Sequence, residues 1–227
     1  MDVHGIGAVK DARKHIRGPQ GVGMTQMATK GRHDAVVDVL IQCGQSAGVS
    51  MDKEPRTVFP QLPGEVDTPP RPDIRYASAL AMEGVVDVTV RTIRVPSRIG
   101  PSGTTPLHTA MLKATEKVRH YRAYLPRYGG KFVPFALEVP GAMGPEAKHF
   151  IRDLAEEAMR TRGWPPSTFV SYWLRRIALT QIKASLEMIV TRARRQGVAL
   201  SYAVDMVDGV AEDQIMDLIH ARSGLTV

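Results

Sequence analysis

The sequence of 227 residues contains a single cysteine, Cys43, and only 6% aromatic residues. One thiol excludes an internal disulfide framework and any zinc site built from several cysteines of this chain, so no structural zinc site is expected. No apolar run approaches the roughly 20 residues that a membrane-spanning helix needs, and none follows the basic amino terminus as in a signal peptide. The sequence therefore predicts an intracellular protein without a membrane partner.

Positive charge is in excess. Lysine and arginine total 30 against 23 acidic residues, which gives a formal net charge of +7. Such an excess favours a polyanionic partner, most simply nucleic acid. Hydrophobic residues make up 43% of the chain, a content that excludes a wholly disordered protein.

The first half of the chain changes character several times. Residues 1–30 are basic, contain several glycines and lack apolar periodicity, so we predict a flexible arm or linker. Residues 33–47 have the spacing of an amphipathic helix. Prolines between positions 55 and 72 argue against a central strand there. Two strands follow over 73–77 and 85–93, and a turn at Glu83-Gly84 would pair them as an antiparallel hairpin.

The second half is mainly helical. A helix is predicted over 105–125, with Thr105 as its cap, Pro106 at its first position and an apolar stripe of Leu107, Met111, Ala114 and Val118. Residues 131–139 read as a strand that is interrupted or at an edge, because Pro134 lies inside it. Helices follow from Pro145, over 167–195 and, shorter, over 212–221. This order indicates an α/β or α+β layer structure.

Two aspartates stand out in the predicted hairpin. Val86, Val88 and Val90 point to one face of their strand, so Asp87 points to the other face with Thr89. A carboxylate inside an otherwise apolar strand is costly to bury unless it is paired or binds a metal. If Asp73 begins the neighbouring strand, both carboxylates meet at one end of the sheet. Two carboxylates and a backbone carbonyl suit Mg²⁺ or Mn²⁺.

The helix predicted over 105–125 supplies positive charge. Its Lys113, Lys117, His120 and Tyr124 lie along one side, next to the apolar stripe. A lysine at that border can reach carboxylates on the sheet, where it could orient a water or stabilise charge on a phosphate. Residues 113–131 also interleave tyrosines with basic residues, a pattern that suits a phosphate backbone.

Taken together and in this order, the sequence motifs are similar to those of a known protein family. Arg71-Pro72-Asp73, Asp87 in a valine-rich strand, Lys117 followed by His120-Tyr121, and a Gly-x-Phe-x-Pro strand resemble the PD-(D/E)XK restriction-enzyme-like endonuclease domain. The closest likeness is to the form that follows the reverse transcriptase of site-specific non-LTR retrotransposons. Arg32-His33, Lys53-Glu54-Pro55 and Glu138-x-x-Gly141 also match elements of that domain, and the likeness covers roughly residues 31–195.

The resemblance implies a fold, a chemistry and a set of roles. The fold would be a restriction-endonuclease-like mixed sheet flanked by helices over 31–162, with a helical C-terminal extension over 163–227. The activity would be divalent-metal-dependent nicking of DNA, with Mg²⁺ or Mn²⁺ as cofactor. Asp73 and Asp87 would be metal ligands, Lys117 the catalytic lysine and Glu54 an accessory carboxylate. The expected DNA-binding residues are Arg32, Arg71, Lys113, Arg119, His120 and Tyr121.

The chain departs from the family at two places. The general motif has a lysine two residues after the second acid, where this sequence has Thr89, so Lys117 would take that role. The zinc knuckle usually found upstream of the Arg-His pair is absent, because the chain has one cysteine. Two alternatives therefore stay open: an inactive module of the same fold that binds DNA or RNA, and a helical interaction protein. A nuclear location would follow only from a DNA substrate.

Overall fold

The computed structural model describes residues 20–61, 64, 68–80, 82–93, 96–139 and 141–195. Six helices and five strands make up this part of the chain, in the order α1 (Gln20–Ser46), β1 (Ser50–Lys53), β2 (Ile74–Ala77), β3 (Glu83–Thr92), α2 (Pro96–Thr104), α3 (His108–Tyr121), α4 (Leu125–Tyr128), β4 (Lys131–Val139), β5 (Ala142–Met143), α5 (Pro145–Arg162) and α6 (Pro166–Arg195). The predicted helix over 212–221 lies outside the described residues.

The strands form one mixed sheet in the order β1-β2-β3-β4-β5. β1, β2 and β3 pair antiparallel, and β4 pairs antiparallel with the short β5. β3 and β4 are parallel, so the chain must cross over one face of the sheet between them, and α2 to α4 form this crossover. The fold is therefore a mixed α/β sheet flanked by helices.

The two faces of β3 are buried against different elements. Val86, Val88 and Val90 belong to the main core, which α1, α5 and α6 complete on one side of the sheet. Val85 packs on the other side with Tyr121 and Tyr124. Because side chains alternate along a strand, Asp87 and Thr89 also face that second side, where α3 covers them.

Several sequence predictions are confirmed here. β2 and β3 form the expected antiparallel pair. α6 matches the helix predicted over 167–195. α5 begins at Pro145 as predicted; it buries Phe150, Ile151, Leu154 and Ala158, whereas Met159 is 50% exposed.

Other predictions are wrong at the level of boundaries. α1 begins at Gln20, so residues 20–30 are helical where an arm was predicted; residues 1–19 lie outside the description. Glu83 and Gly84 lie inside β3, and the turn falls earlier, where Ser78 N donates to Met82 O. Between positions 55 and 72 the described residues contain no strand, as the prolines predicted; β1, which the pattern did not identify, ends at Lys53 before the first of these prolines.

The helix predicted over 105–125 is also different. Thr105 N donates to Pro101 O, so Thr105 continues the preceding turn of α2 and does not cap α3. α3 begins at His108, after Leu107 in a left-handed conformation with φ 60°. Its buried face is Thr109, Ala110, Ala114 and Tyr121, whereas Met111 and Val118 of the predicted stripe are 48% and 44% exposed.

β4 lies beside β3, and only part of its length is at the edge of the sheet. It pairs with β3 throughout, whereas β5 covers only Leu137 and Glu138. Pro134, opposite Asp87 in the register, therefore lies in the part of β4 that has a strand on one side. A residue without an N–H is tolerated there because no second ladder requires a donor.

Candidate metal centre

Backbone pairing places Asp73 beside Asp87. Asp73 immediately precedes β2, and its N–H donates to Val86 O at 3.1 Å. Its Oδ2 accepts a hydrogen bond from Val88 N at 2.6 Å. These two contacts hold Asp73 against β3, one at the residue before Asp87 and one at the residue after it. The carboxyl groups of Asp73 and Asp87 therefore lie within hydrogen-bonding reach of each other. The antiparallel pairing thus brings together two acids that are distant in sequence.

Asp87 is the more deeply buried of the two acids, at 4% exposure. Its Oδ2 lies 2.5 Å from Lys117 Nζ, yet this buried oxygen has no regular hydrogen bond among the described residues. Burial raises the pKa of Asp87 to about 7; the negative charge of Asp73 acts in the same direction, and the Lys117 ammonium acts against both. Asp87 is consequently a carboxyl group that lacks sufficient compensation from the protein alone.

Asp73 has the opposite electrostatic environment. Burial by itself would raise its pKa, but His33 and the Val88 N–H outweigh burial and lower the pKa below its usual value. His33 Nε2 lies 3.2 Å from Asp73 Oδ2, and its Nδ1 lies 3.3 Å from Asp34 Oδ1. Burial lowers the pKa of His33, whereas the two carboxylates raise it, to about 9. Adjacent acids with pKa values shifted in opposite directions are characteristic of functional sites.

Lys117 reaches Asp87 because of its position on α3. Ala110, Ala114, Lys117 and Tyr121 follow one another at helical spacing and share the side that faces the sheet. The two alanines let α3 approach Ala136 of β4 closely. The Lys117 side chain is 33% exposed, so its stem packs along the helix while the ammonium reaches the carboxylate.

Two further buried polar residues lie on this side of the sheet. Thr89, two residues after Asp87 on the same face of β3, is 6% exposed. Glu138 is 7% exposed, and its Oε1 accepts a hydrogen bond from Ala110 N at 3.0 Å. Because Ala110 lies in the first turn of α3, Glu138 satisfies one of the amides that have no partner within the helix. It therefore ties the helix carrying Lys117 to β4.

A hard divalent cation fits the donors that are present. Asp73 and Asp87 offer adjacent carboxylate oxygens, and burial keeps the pKa of Asp87 raised although the Lys117 ammonium lies 2.5 Å from its Oδ2. Mg²⁺ commonly binds through one or two carboxylates and retains several waters, so two protein ligands suffice. No cluster of three or more histidine, cysteine or acidic side chains suitable for a metal occurs among the described residues.

Glu54 stays apart from the acid pair. Its backbone N–H donates to Asp73 O at 2.7 Å, which fixes β1 beside the site. Its side chain is 49% exposed, and its Oε2 pairs with the Arg71 guanidinium at 3.2 Å. Neither carboxylate of the acid pair is among its contacts in the described structure. Its expected accessory role is therefore limited to the backbone contact shown here.

The residues expected to bind DNA divide into two groups. Arg71, Arg119 and His120 are exposed, and Lys113 forms an ion pair with Glu116. Tyr121 is 2% exposed and packs on Phe59 and Phe132, so its side chain is not available for the DNA contact expected of it. Arg32 is half-buried and donates to Val90 O at 3.4 Å, so it too points into the protein. The helix-period pattern did not separate these buried residues from exposed ones.

The sequence reasoning missed the role of His33. The helix predicted over 33–47 begins at His33, so this residue was interpreted as the helix start. In the structure α1 begins at Gln20, and His33 lies within the helix, against Asp73. The one sequence feature that pointed to His33 was the adjacent pair Arg32-His33, a motif through which the chain resembles the endonuclease family. A role in holding an acid could not be read from it without the packing of α1 on the sheet.

Comparison with protein-family models, with curated proteins and with solved structures found no match to this chain. Within the ranges that the structure describes, none of the helices is both long and apolar enough to span a membrane.

Proposed function

We propose that this chain is a divalent-metal-dependent DNA endonuclease domain of the PD-(D/E)XK type, related to those of non-LTR retrotransposons. The observation that carries the proposal is the juxtaposition of Asp73 and Asp87 with the Lys117 ammonium, 2.5 Å from Asp87 Oδ2. The mixed sheet with helices on both sides supports it, as does the exposed basic side of α3 beside the site.

In the proposed reaction each residue has a separate task. Asp73 and Asp87 hold Mg²⁺ or Mn²⁺, which when bound polarises the phosphodiester and favours ionisation of a bound water. Lys117 presents its ammonium where negative charge develops on the phosphate. His33 holds the Asp73 carboxylate through Oδ2. Arg119 and His120, exposed on α3, contact the phosphate backbone.

The test is nicking of supercoiled plasmid DNA in Mg²⁺ and in Mn²⁺. The wild-type chain is expected to convert the supercoiled form to the open circle, and EDTA is expected to stop it. Asp73→Ala and Asp87→Ala should each abolish nicking while circular dichroism shows an intact fold. Asp38→Ala is the matched control, because Asp38 is 54% exposed and pairs with Lys53 across the surface. A wild-type chain that nicks DNA in neither metal would refute the active enzyme.

A second function, binding of nucleic acid without cleavage, is favoured by one observation. His33 and Lys117 already pair with Asp73 and Asp87, so the charges of both acids are partly compensated without a cation. This alternative predicts an affinity for labelled duplex DNA that falls steeply with salt and is the same in Mg²⁺ and EDTA. Metal-dependent binding that Asp87→Ala removes would favour the endonuclease instead.

A further inference from the structure

An apolar cavity opens on the side of the sheet away from α3, between the end of α6 and strands β3 and β4. Its volume is about 420 Å³, within the range of roughly 300–1,000 Å³ that ligand pockets occupy. Apolar side chains dominate the lining, and its polar members are Thr92, Ser185 and two arginines, Arg32 and Arg192. Ile189 is 60% exposed and Leu186 is 44% exposed, so α6 presents an uncovered apolar surface here.

Arg32 carries a charge that this cavity leaves uncompensated. Its Nε is buried and has no hydrogen-bond partner among the described residues. Burial lowers the pKa of Arg32, and the nearby Arg91 lowers it further. A half-buried guanidinium that has no carboxylate partner in the described part of the chain indicates that an anionic group completes the site. The cavity therefore suits an occupant that is apolar over most of its length and negatively charged at one end.

The chain itself contains a segment of this chemistry. Residues 204–221 include five acidic residues and no lysine or arginine, in a protein whose formal net charge is +7. In the helix predicted over 212–221, Glu212 precedes Ile215, Met216 and Ile219 by three, four and seven residues, so all four share one face. That face is apolar with a carboxylate at its first turn.

The length of the chain permits this contact. From Arg195, where α6 ends, back to Ile182 at the far end of the cavity, the helix rises about 20 Å at 1.5 Å per residue. Residues 196–211 can extend over roughly 50 Å, more than twice that distance. Tethering a segment this near to its target raises its effective concentration, so that even a weak contact is favoured.

We propose that residues 212–221 of this chain dock into the cavity formed by Arg32, Val139, Ile182, Leu186, Ile189 and Arg192. Ile215, Met216 and Ile219 cover the exposed apolar side chains of α6, and Glu212 pairs with the arginines at the edge. The acidic segment thereby compensates positive charge on the opposite side of the sheet from the proposed metal centre.

The test is amide hydrogen exchange of residues 212–221 in the full chain. The wild type should show protection in this segment, and Ile189→Asp or Arg192→Glu should reduce it at least about tenfold, the loss expected for a charge-assisted contact. Arg194→Glu, on the same helix but outside the cavity lining, should leave it unchanged. Exchanging the charges in Arg192→Glu/Glu212→Arg should restore part of the protection lost in either single variant.

Four results would overturn the proposal. The first is a wild-type segment that exchanges as an unprotected peptide. The second is an equal loss of protection in Arg194→Glu and Arg192→Glu. The third is protection that appears only at concentrations where sedimentation shows a dimer, which would assign the cavity to a second copy. Dodecanoate serves as a probe of a small anionic amphiphile: binding that leaves protection of 212–221 unchanged would place the segment elsewhere and also refute the proposal.

Discussion

Replacing Asp87 by asparagine should stabilise the metal-free protein while removing its proposed activity. Asparagine keeps the shape of the side chain but carries no charge, so the cost of burying an ionised carboxylate disappears. The pKa of Asp87 is raised from 3.8 to about 7 in the fold. At about 1.4 kcal/mol per unit this difference corresponds to roughly 4 kcal/mol, and sharing the effect with Asp73 reduces it to about 2–4 kcal/mol.

The pH dependence follows from the direction of the shift. Because the folded-state pKa lies above the unfolded value, Asp87 destabilises the fold fully above about pH 7. This penalty decreases as the pH falls and the folded state takes up a proton, and it disappears below about pH 4, where both states are protonated. The benefit of Asp87→Asn should therefore be largest at pH 8 and absent at pH 3.5.

Thermal unfolding in EDTA measures this benefit. A gain of about 2–4 kcal/mol corresponds to an increase in Tm of roughly 5–10 °C at pH 8 for a domain of this size. Asp38→Asn is the matched control and should change Tm by less than about 2 °C, because Asp38 is exposed. In Mg²⁺ only the wild type should gain stability, since a ligand stabilises the state that binds it. A lower Tm for Asp87→Asn at pH 8 would refute the electrostatic description of the site.

Three further predictions concern separate parts of the molecule. Lys117→Met should reduce nicking at least about 100-fold, because it removes the ammonium beside the acid pair. Mn²⁺ binding measured by calorimetry should be retained, because no metal ligand is removed, and loss of binding would contradict the assigned roles. Gly84→Ala should destabilise the fold by about 2–3 kcal/mol in urea unfolding, since the new methyl group would overlap the Lys131 carbonyl oxygen. Gly103→Ala, with open space around it, is the control and should be neutral or stabilising. Equal effects of the two substitutions would show that β3 and β4 can separate. Cys43, fully buried and with its pKa raised by burial, should react with a thiol reagent only on unfolding, and rapid reaction of the native protein would contradict its burial.

Local patterns were sufficient for much of the architecture. Alternating valines identified β3, and apolar spacing identified α5, because burial of one face imposes a period on the sequence. The patterns failed on α3, where Met111 and Val118 had the correct spacing yet remain exposed. The residues that pack against the sheet there are alanines, whose small size gives a weak hydrophobic signal but permits close approach of the helix.

The proximity of the candidate site's residues was only partly predictable. Asp87 could be singled out because a carboxylate in an apolar strand demands a partner. That Lys117 is this partner depends on the crossover from β3 to β4, and that His33 holds Asp73 depends on the packing of α1. Neither contact leaves a periodic trace. Tyr121 and Arg32 show the same limit, since their types suit a nucleic-acid surface but tertiary packing buries the first and half-buries the second.

The sequence by itself determined the class of fold, the excess of positive charge and the two aspartates that need partners, because composition and local periodicity record how each segment meets water. The tertiary structure alone decided which cation stands beside each acid, which basic residues remain exposed and where α6 leaves a cavity. These features depend on contacts between residues far apart in the chain, and such contacts are set by the packing of whole helices on the sheet.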